Sequence, residues 1–249
     1  MTTLPVFLVE TLPTGNSGVL DGPEGRHAAT VRRLRAGEQL VLSDGRGGMV
    51  RCVVDVTLRD TVTYSVRQRW AEPSPQPRVI LAQALVKGDR GELAVEQATE
   101  AGVDRVVPWR AERCVARWDD GERGAKARAR WCNAVREAAK QSRRAWCPEV
   151  TEPVDTPGLA RLATAASAAL VLHESAERGI AELTLPRAGD LLIVVGPEGG
   201  ITDAELATLA SGGATPVRLG QTVLRASTAA AVALGAIGVL TSRWRQPHA

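Results

Sequence analysis

Apolar positions along the chain follow two different rhythms. Up to about residue 70 they come in short runs and alternations. Leu40-Val41-Leu42 leads into the turn-forming cluster Ser43-Asp44-Gly45-Arg46-Gly47-Gly48, and Met49 to Leu58 and Thr61 to Arg69 then alternate apolar with polar. Val62, Tyr64 and Val66 fall on one face, the period of two that marks a half-buried strand. Short strands, glycine turns and little helix predict a small β-barrel. From Arg78 onward the rhythm changes to apolar runs separated by helical stretches: a strand over Val79 to Leu85, a helix over Gly91 to Ala101 closed by Gly102, a strand over Val103 to Pro108, a long basic helix reaching Gln141, and a strand over Ala168 to Leu172. That alternation predicts a mostly parallel sheet flanked by helices. Between the two regimes, three prolines in Glu72-Pro73-Ser74-Pro75-Gln76-Pro77 remove backbone donors and favour an extended linker. The expected division is therefore 1–72, a linker at 73–77, and 78–249.

The stretch from Leu191 to Leu240 organises the second part. An apolar run, LLIVV, breaks into Gly196-Pro197-Glu198-Gly199-Gly200, and a second, PVRLG, breaks into QTVLRASTAAAVALGAIGVL. Each break opens a helix, and Thr202 with Glu205 three residues on has the spacing of a capping box. Ligands of open α/β sheets bind in the crevice at the carboxyl ends of strands, so the paired glycine loops are the candidate site. Neither GxxxxGK[ST] nor GxGxxG is present, and the loop carries Glu198 and no lysine. A nucleoside triphosphate is disfavoured and a neutral or cationic ligand favoured.

Charge adds a second theme. The net charge of +3 is ordinary, but residues 110–144 hold eleven Lys and Arg against five Asp and Glu. A segregated basic surface suits a polyanionic partner, although a solvated helix face reads the same. Trp109, Trp118, Trp131 and Trp146 sit among these arginines, an interleaving that can stack exposed bases. Near the amino terminus Arg26, His27, Arg32, Arg33 and Arg35 form a short basic helix suited to tracking phosphates. Glu96 and Glu100 share a helical face, where solvation is the commoner role. Cys52, Cys114, Cys132 and Cys147 form no C-x-x-C pair, so neither a zinc site nor a disulfide framework is expected. His173-Glu174 lacks the second histidine of H-E-x-x-H, and no metal site is predicted. The amino terminus has no basic n-region and the apolar run 229–240 is too short to span a bilayer, so a cytoplasmic protein is expected.

GPEGGIT at 196–202, Glu205, and LGQTVLRASTAAAVAL at 219–234 resemble the carboxyl-terminal signature of the RsmE family of SPOUT methyltransferases. The resemblance covers nearly the whole chain. Lys87, Arg90, Glu92, Gln97, Glu100 and Gly102 are similar to one family segment, Glu137, Gln141, Ser142 and Arg144 to another, and His27 to Arg33 to a third in which Arg32 replaces a leucine. The resemblance implies a C-terminal SPOUT α/β domain with a deep trefoil knot, preceded by a small N-terminal PUA-like β-barrel that touches RNA. It implies S-adenosylmethionine as methyl donor, N3 of a uridine in 16S ribosomal RNA of the small subunit as acceptor, and a homodimer. Cofactor-binding positions carried over are Leu172, His173, Glu174, Gly196, Pro197, Glu198, Gly199, Gly200, Leu219, Gly220, Val223, Leu224, Ser227 and Ala229. Arg225 and Glu198 are the candidate catalytic residues, and Arg26, His27, Arg32, Arg33, Arg35, Arg143 and Arg144 the RNA-binding ones. Family members often carry an acidic residue where this chain has Ser227; the serine is expected to serve as a helix N-cap. A catalytically silent ribosome assembly factor and a transfer-RNA methyltransferase are the alternative readings.

Overall fold

The computed structural model describes residues 4–245, and its chain divides into two compact units. The first comprises the residues up to Ser74 together with Ala139–Cys147, and the second comprises Pro75–Ala138 and the chain from Pro148 onward. The crossing between Ser74 and Pro75 falls within the proline-rich segment.

In the first unit five strands, β1 (Val6–Leu8), β2 (Ser17–Leu20), β3 (Gln39–Ser43), β4 (Gly48–Thr57) and β5 (Val62–Ala71), form one sheet in the order β1-β3-β4-β5-β2. β1 runs parallel to β3, and the remaining pairs are antiparallel. The alternating positions behave as their period demands: Val50, Cys52, Val54, Val62 and Tyr64 turn inward onto Phe7, Leu20, Leu40 and Leu42. Irregularities at Arg51/Cys52 and Val54/Val56 bend the long β4–β5 hairpin. Between β2 and β3 the basic segment is less regular than a single helix. Helix α1 (Gly22–Arg26) runs into a π-helical turn over His27–Val31, and the chain then takes a left-handed step at Arg33, φ 54°. The returning residues Ala139–Cys147 pack on the same unit. Ala145 joins Val6, Val41 and Met49, the Trp146 indole donates to the Glu72 carbonyl at 2.9 Å, and Lys140 pairs with Glu24 at 2.9 Å.

In the second unit six strands form a sheet in which every neighbouring pair is parallel: β6 (Arg78–Ala84), β7 (Arg105–Trp109), β8 (Glu149–Val150), β9 (Ala168–Leu172), β10 (Asp190–Val195) and β11 (Ala214–Val217), ordered β11-β9-β10-β6-β7-β8. Strands of such sheets are covered on both faces and read as unbroken apolar runs. Leu191 to Val195 are accordingly all buried. Helices α2 (Arg90–Ala101), α3 (Glu122–Gln141), α4 (Thr156–Ala165), α5 (Asp203–Ser211) and α6 (Ala226–Leu240) complete the unit, with α2 packed on α6 and α4 on α5. Gly102, at φ 106°, closes α2 as a left-handed cap. Glu96 and Glu100 are exposed on α2. At the entry edge of the sheet Arg78 and Asp190 form a two-pronged pair at 2.8 and 2.7 Å. The buried Arg243 guanidinium pairs with Asp104 at 2.7 Å and also donates to the carbonyls of Pro77 and Gly102, which anchors the chain beyond α6.

The four tryptophans expected among arginines do not form a stacking surface together. Trp109 is fully buried and donates to Thr156 at 3.2 Å, Trp131 is 3% exposed, and Trp146 is committed to Glu72. Large rings at the ends of strands and on the inner face of α3 serve the core because their apolar area is worth most there. Trp118 differs: it is half-buried and stands edge-on to Trp131, with ring centroids 4.8 Å apart at 75°.

Candidate functional site

β10 lies between β9 and β6, and β11 lies beyond β9, all parallel and in register at their ends: Val195 pairs with Leu172, and Leu172 with Val217. The three carboxyl ends therefore share one edge. The loops that leave them, beginning at His173, Gly196 and Arg218, surround one cavity of about 580 Å3.

The loop after β10 is held by local chemistry. Gly200 donates to the Pro197 carbonyl at 2.9 Å and adopts φ 75°. A Cβ on Gly196 would stand 2.6 Å from the Ile201 side chain, so only glycine lets the loop fold back on itself there. The capping box forms as the spacing requires: Thr202 Oγ1 accepts from Glu205 N, and the Glu205 carboxylate accepts from Thr202 N at 3.1 Å. Glu205 is 5% exposed and does more than cap. Its Oε1 accepts from the backbone N–H of Glu112 at 2.9 Å and from Thr156 Oγ1 at 3.0 Å. That ties the loop after β7 to the loop after β10, and Arg113 then donates to the Gly199 carbonyl at 3.0 Å.

The cavity wall carries both signs of charge. Glu174 and Glu198 supply carboxylates, while Arg90, Arg113, Arg218 and Arg225 supply guanidinium groups. Arg90 stands 3.7 Å from Glu198, a loose pair with both side chains partly exposed. Arg225 is exposed and makes no ion pair among the described residues. The His173 ring nitrogen Nδ1 lies 2.9 Å from the Ser175 hydroxyl. Burial pushes the Cys114 thiol up, as it does Cys132 and, to about 11, Cys52, so these thiols stay protonated at neutral pH and are poor nucleophiles.

Two family models match: an RNA methyltransferase domain over residues 72–238 and an RNA methyltransferase PUA domain over residues 20–57. A ribosomal RNA small subunit methyltransferase E of Mycobacterium bovis is 54% identical over 244 residues, covering 96% of this chain and 93% of that one. The chain belongs to the ribosomal RNA small subunit methyltransferase E family. Among solved structures, a methyltransferase of Legionella pneumophila in complex with SAM superposes with a TM-score of 0.84 at 29% identity, covering 97% of this chain and 98% of that one. The Neisseria gonorrhoeae family member bound to S-adenosyl methionine gives a TM-score of 0.84 at 25% identity, covering 96% and 98%. Within the family's fold, the first unit is the PUA-like barrel and the second the SPOUT α/β domain.

Every cofactor-binding position carried over from the family resemblance lines the cavity: Leu172, His173, Glu174, Gly196, Pro197, Glu198, Gly199, Gly200, Leu219, Gly220, Val223, Leu224, Ser227 and Ala229, together with Arg225. One expectation is corrected. Ser227 is not the N-cap of α6: the extended residue before the helix is Arg225, φ −65° and ψ 148°, and Ser227 is the second helical residue, 7% exposed. The helix begins earlier because the backbone turns helical at Ala226, and the Arg225 carbonyl accepts the first bonds, from Thr228 N and Ala229 N at 2.9 Å. Sequence reasoning missed Arg113 and Arg218 as wall residues. Arg113 falls in the basic stretch 110–144, and only the buried Glu205, by holding the Glu112 backbone, brings it to the site.

The basic residues assigned to RNA lie in the first unit. His27, Arg32 and Arg143 meet around a small cavity of about 50 Å3 with Lys140 and Gln141, and the His27 ring stands edge-on to Phe7 at 5.8 Å. Arg33 and Arg143 both adopt left-handed backbone, φ 54° and 57°. Arg26 stands 4.0 Å from Asp60, while Arg35 is exposed and Arg144 half-buried.

Proposed function

We propose that this chain transfers a methyl group from S-adenosylmethionine to N3 of a uridine in 16S ribosomal RNA, within the small ribosomal subunit or its precursor. The observation that carries this reading is the convergence of three loops on one cavity of about 580 Å3, lined by glycine backbone and by side chains of both charges. The residues fit the donor: Gly196 and Gly200 allow close backbone approach, Leu172, Leu219 and Leu224 offer apolar wall, and Glu198 and Glu174 suit a cation. When bound, the donor supplies an electrophilic methyl carbon on a sulfonium.

The protein's share is positioning and electrostatics, and holding reactants in line supplies a large part of a barrier. Arg225, exposed and without an ion pair, stabilises the negative charge that develops on uracil as its imide proton leaves. Glu198, loosely held by Arg90, places a carboxylate at the cavity wall and orients its loop. The first unit holds the RNA through Arg26, His27, Arg32, Arg33, Arg35, Arg143 and Arg144, with 73–77 as linker; of the expected 78–249 part, all but Ala139–Cys147 serves the transfer. The exposed apolar residues Val232, Val239 and Leu240 on α6 form the face of a homodimer, while the small residues Ala229, Ala230 and Ala233 are buried within the chain and let the helix pack closely there. Among the described residues no helix is long and apolar enough to cross a membrane, and the reading places the enzyme in the cytoplasm with its ribosomal substrate.

Mass spectrometry of ribosomal RNA from a deletion strain tests this reading. Loss of one N3-methyluridine, restored by the wild type and not by Arg225→Ala, is the expected result. An unchanged modification pattern would sink it. The serine at 227 favours one competitor, a silent RNA-binding assembly factor, which calorimetry supports if millimolar S-adenosylmethionine gives no binding heat.

A further inference from the structure

The loop joining β6 to α2 has the methyl-donor cavity on one side and a second groove, of about 590 Å3, on the other; Val86 lines both. The groove is walled by the segment ahead of α3 and by the first turns of α3 itself, which contribute Arg117, Trp118, Arg123, Lys126 and Arg130. Part of this charge is spent locally, since Arg130 pairs with Glu92 at 2.8 Å and Lys126 with Glu122 at 2.7 Å. Arg117 and Arg123 are exposed and form no ion pair among the described residues. Between them stands Trp118, whose ring is braced edge-on by the buried Trp131. Trp131 is itself seated over Gly91, where a Cβ would lie 2.8 Å from its ring.

We infer that this groove is the track for the single-stranded RNA adjoining the target base, with Trp118 as a stacking platform and Arg117 and Arg123 as phosphate contacts. The inference rests on the methyltransferase reading above and names the path by which the acceptor reaches the cavity. An aromatic face already fixed by the core costs little side-chain entropy on binding, and base stacking on such a face tolerates any base. Guanidinium groups not neutralised by carboxylates are those able to release counterions from a phosphate chain. An acidic protein would use the arginines but need not present a flat ring beside each negative charge, as every nucleotide does. Because Val86 lines both, a strand lying in the groove runs beside the donor cavity.

The test uses the full chain and oligouridylate as probe, with binding followed by fluorescence anisotropy across a salt series. Arg117→Ala with Arg123→Ala should weaken binding roughly tenfold and reduce the salt slope by about 1.4, the release expected from two phosphates of a single strand. Trp118→Ala should weaken it at least about fivefold, whereas Trp118→Phe keeps the wild-type affinity. Calorimetric affinity for S-adenosylmethionine should stay at the wild-type value in all three. Unchanged affinity and slope in the double arginine variant overturn the groove, and that variant decides the matter if Trp118→Ala does not fold. Methyl transfer to 16S ribosomal RNA, measured alongside, separates the two readings. A wild type that methylates while the arginine variant binds normally defeats the groove alone; a wild type that binds through the groove and transfers nothing defeats the enzyme reading alone.

Discussion

The Glu205 carboxylate accepts the backbone N–H of Glu112 at 2.9 Å, although the two residues are 93 positions apart. The same buried carboxylate caps its own helix through Thr202 and receives the Thr156 hydroxyl. The loop after β10 is thus shaped from below by a group that does not line the donor cavity. Glu205→Ala should cost about 2–4 kcal/mol of stability, because it leaves three part-buried donors without their acceptor at once. It should also weaken S-adenosylmethionine binding by releasing Arg113 from Gly199. Urea denaturation with calorimetry on the same preparation checks both, and a variant as stable as the wild type would refute the hub.

Gly196→Ala places a methyl against Ile201. Overpacking of this kind costs about 1–3 kcal/mol, and its relief must shift Ile201 or the loop, both of which line the cavity. Donor affinity should fall more than tenfold while the barrel's RNA binding stays unchanged. Equilibrium dialysis with labelled donor measures the first, and filter binding the second.

Arg225→Ala should lower the rate of methyl transfer by about 100- to 1,000-fold, the usual loss on removing one donor to a developing anion. Donor affinity should stay near the wild-type value, and Arg225→Lys should recover part of the rate. Single-turnover transfer to 16S ribosomal RNA is the measurement. A fall in donor affinity that accounts for the whole loss would assign Arg225 to binding instead.

Thr202 and Ser227 make a matched pair for testing which hydroxyl caps a helix. Thr202→Ala removes a bonded N-cap and should cost about 1 kcal/mol. Ser227→Ala lies inside α6, removes no capping bond and adds a better helix former, so it should cost less than Thr202→Ala. Urea midpoints of the two variants decide between these positions.

The Arg78 guanidinium beside Asp190, through its hydrogen bonds first, holds that carboxyl below the usual aspartate range, with burial opposing. A carboxyl whose folded pKa is depressed contributes stability above its unfolded pKa and loses it as pH falls through the folded value. The pair therefore stabilises at neutral pH and fades below about pH 4, the unfolded aspartate range. Arg78→Gln should flatten this acid limb, measured as urea midpoints between about pH 3 and pH 6. Both side chains are about a third exposed, so solvent screening keeps the effect small.

Much of the second unit was legible because its signals are local. A fully covered parallel strand needs an unbroken apolar run, so LLIVV and Ala168 to Leu172 announce themselves. A capping box needs only three residues of spacing, and a left-handed helix stop needs a glycine at Gly102. The alternation of β5 likewise told which of its residues face the barrel core. Where the signal is short in range, a single sequence carries it.

What the chain alone determined is the identity and order of these elements and, through the two glycine loops, the candidate cavity. The tertiary structure decided what depends on distant partners. It alone shows that Ala139–Cys147 return to the first unit, that Trp109 and Trp131 are core rings while Trp118 is not, and that Ser227 lies inside α6. It alone brings Arg113 to Gly199 by way of Glu205. The reason is physical: burial and hydrogen-bond partnership are set by which surfaces meet after the chain has folded, and residues ninety positions apart leave no periodicity to read.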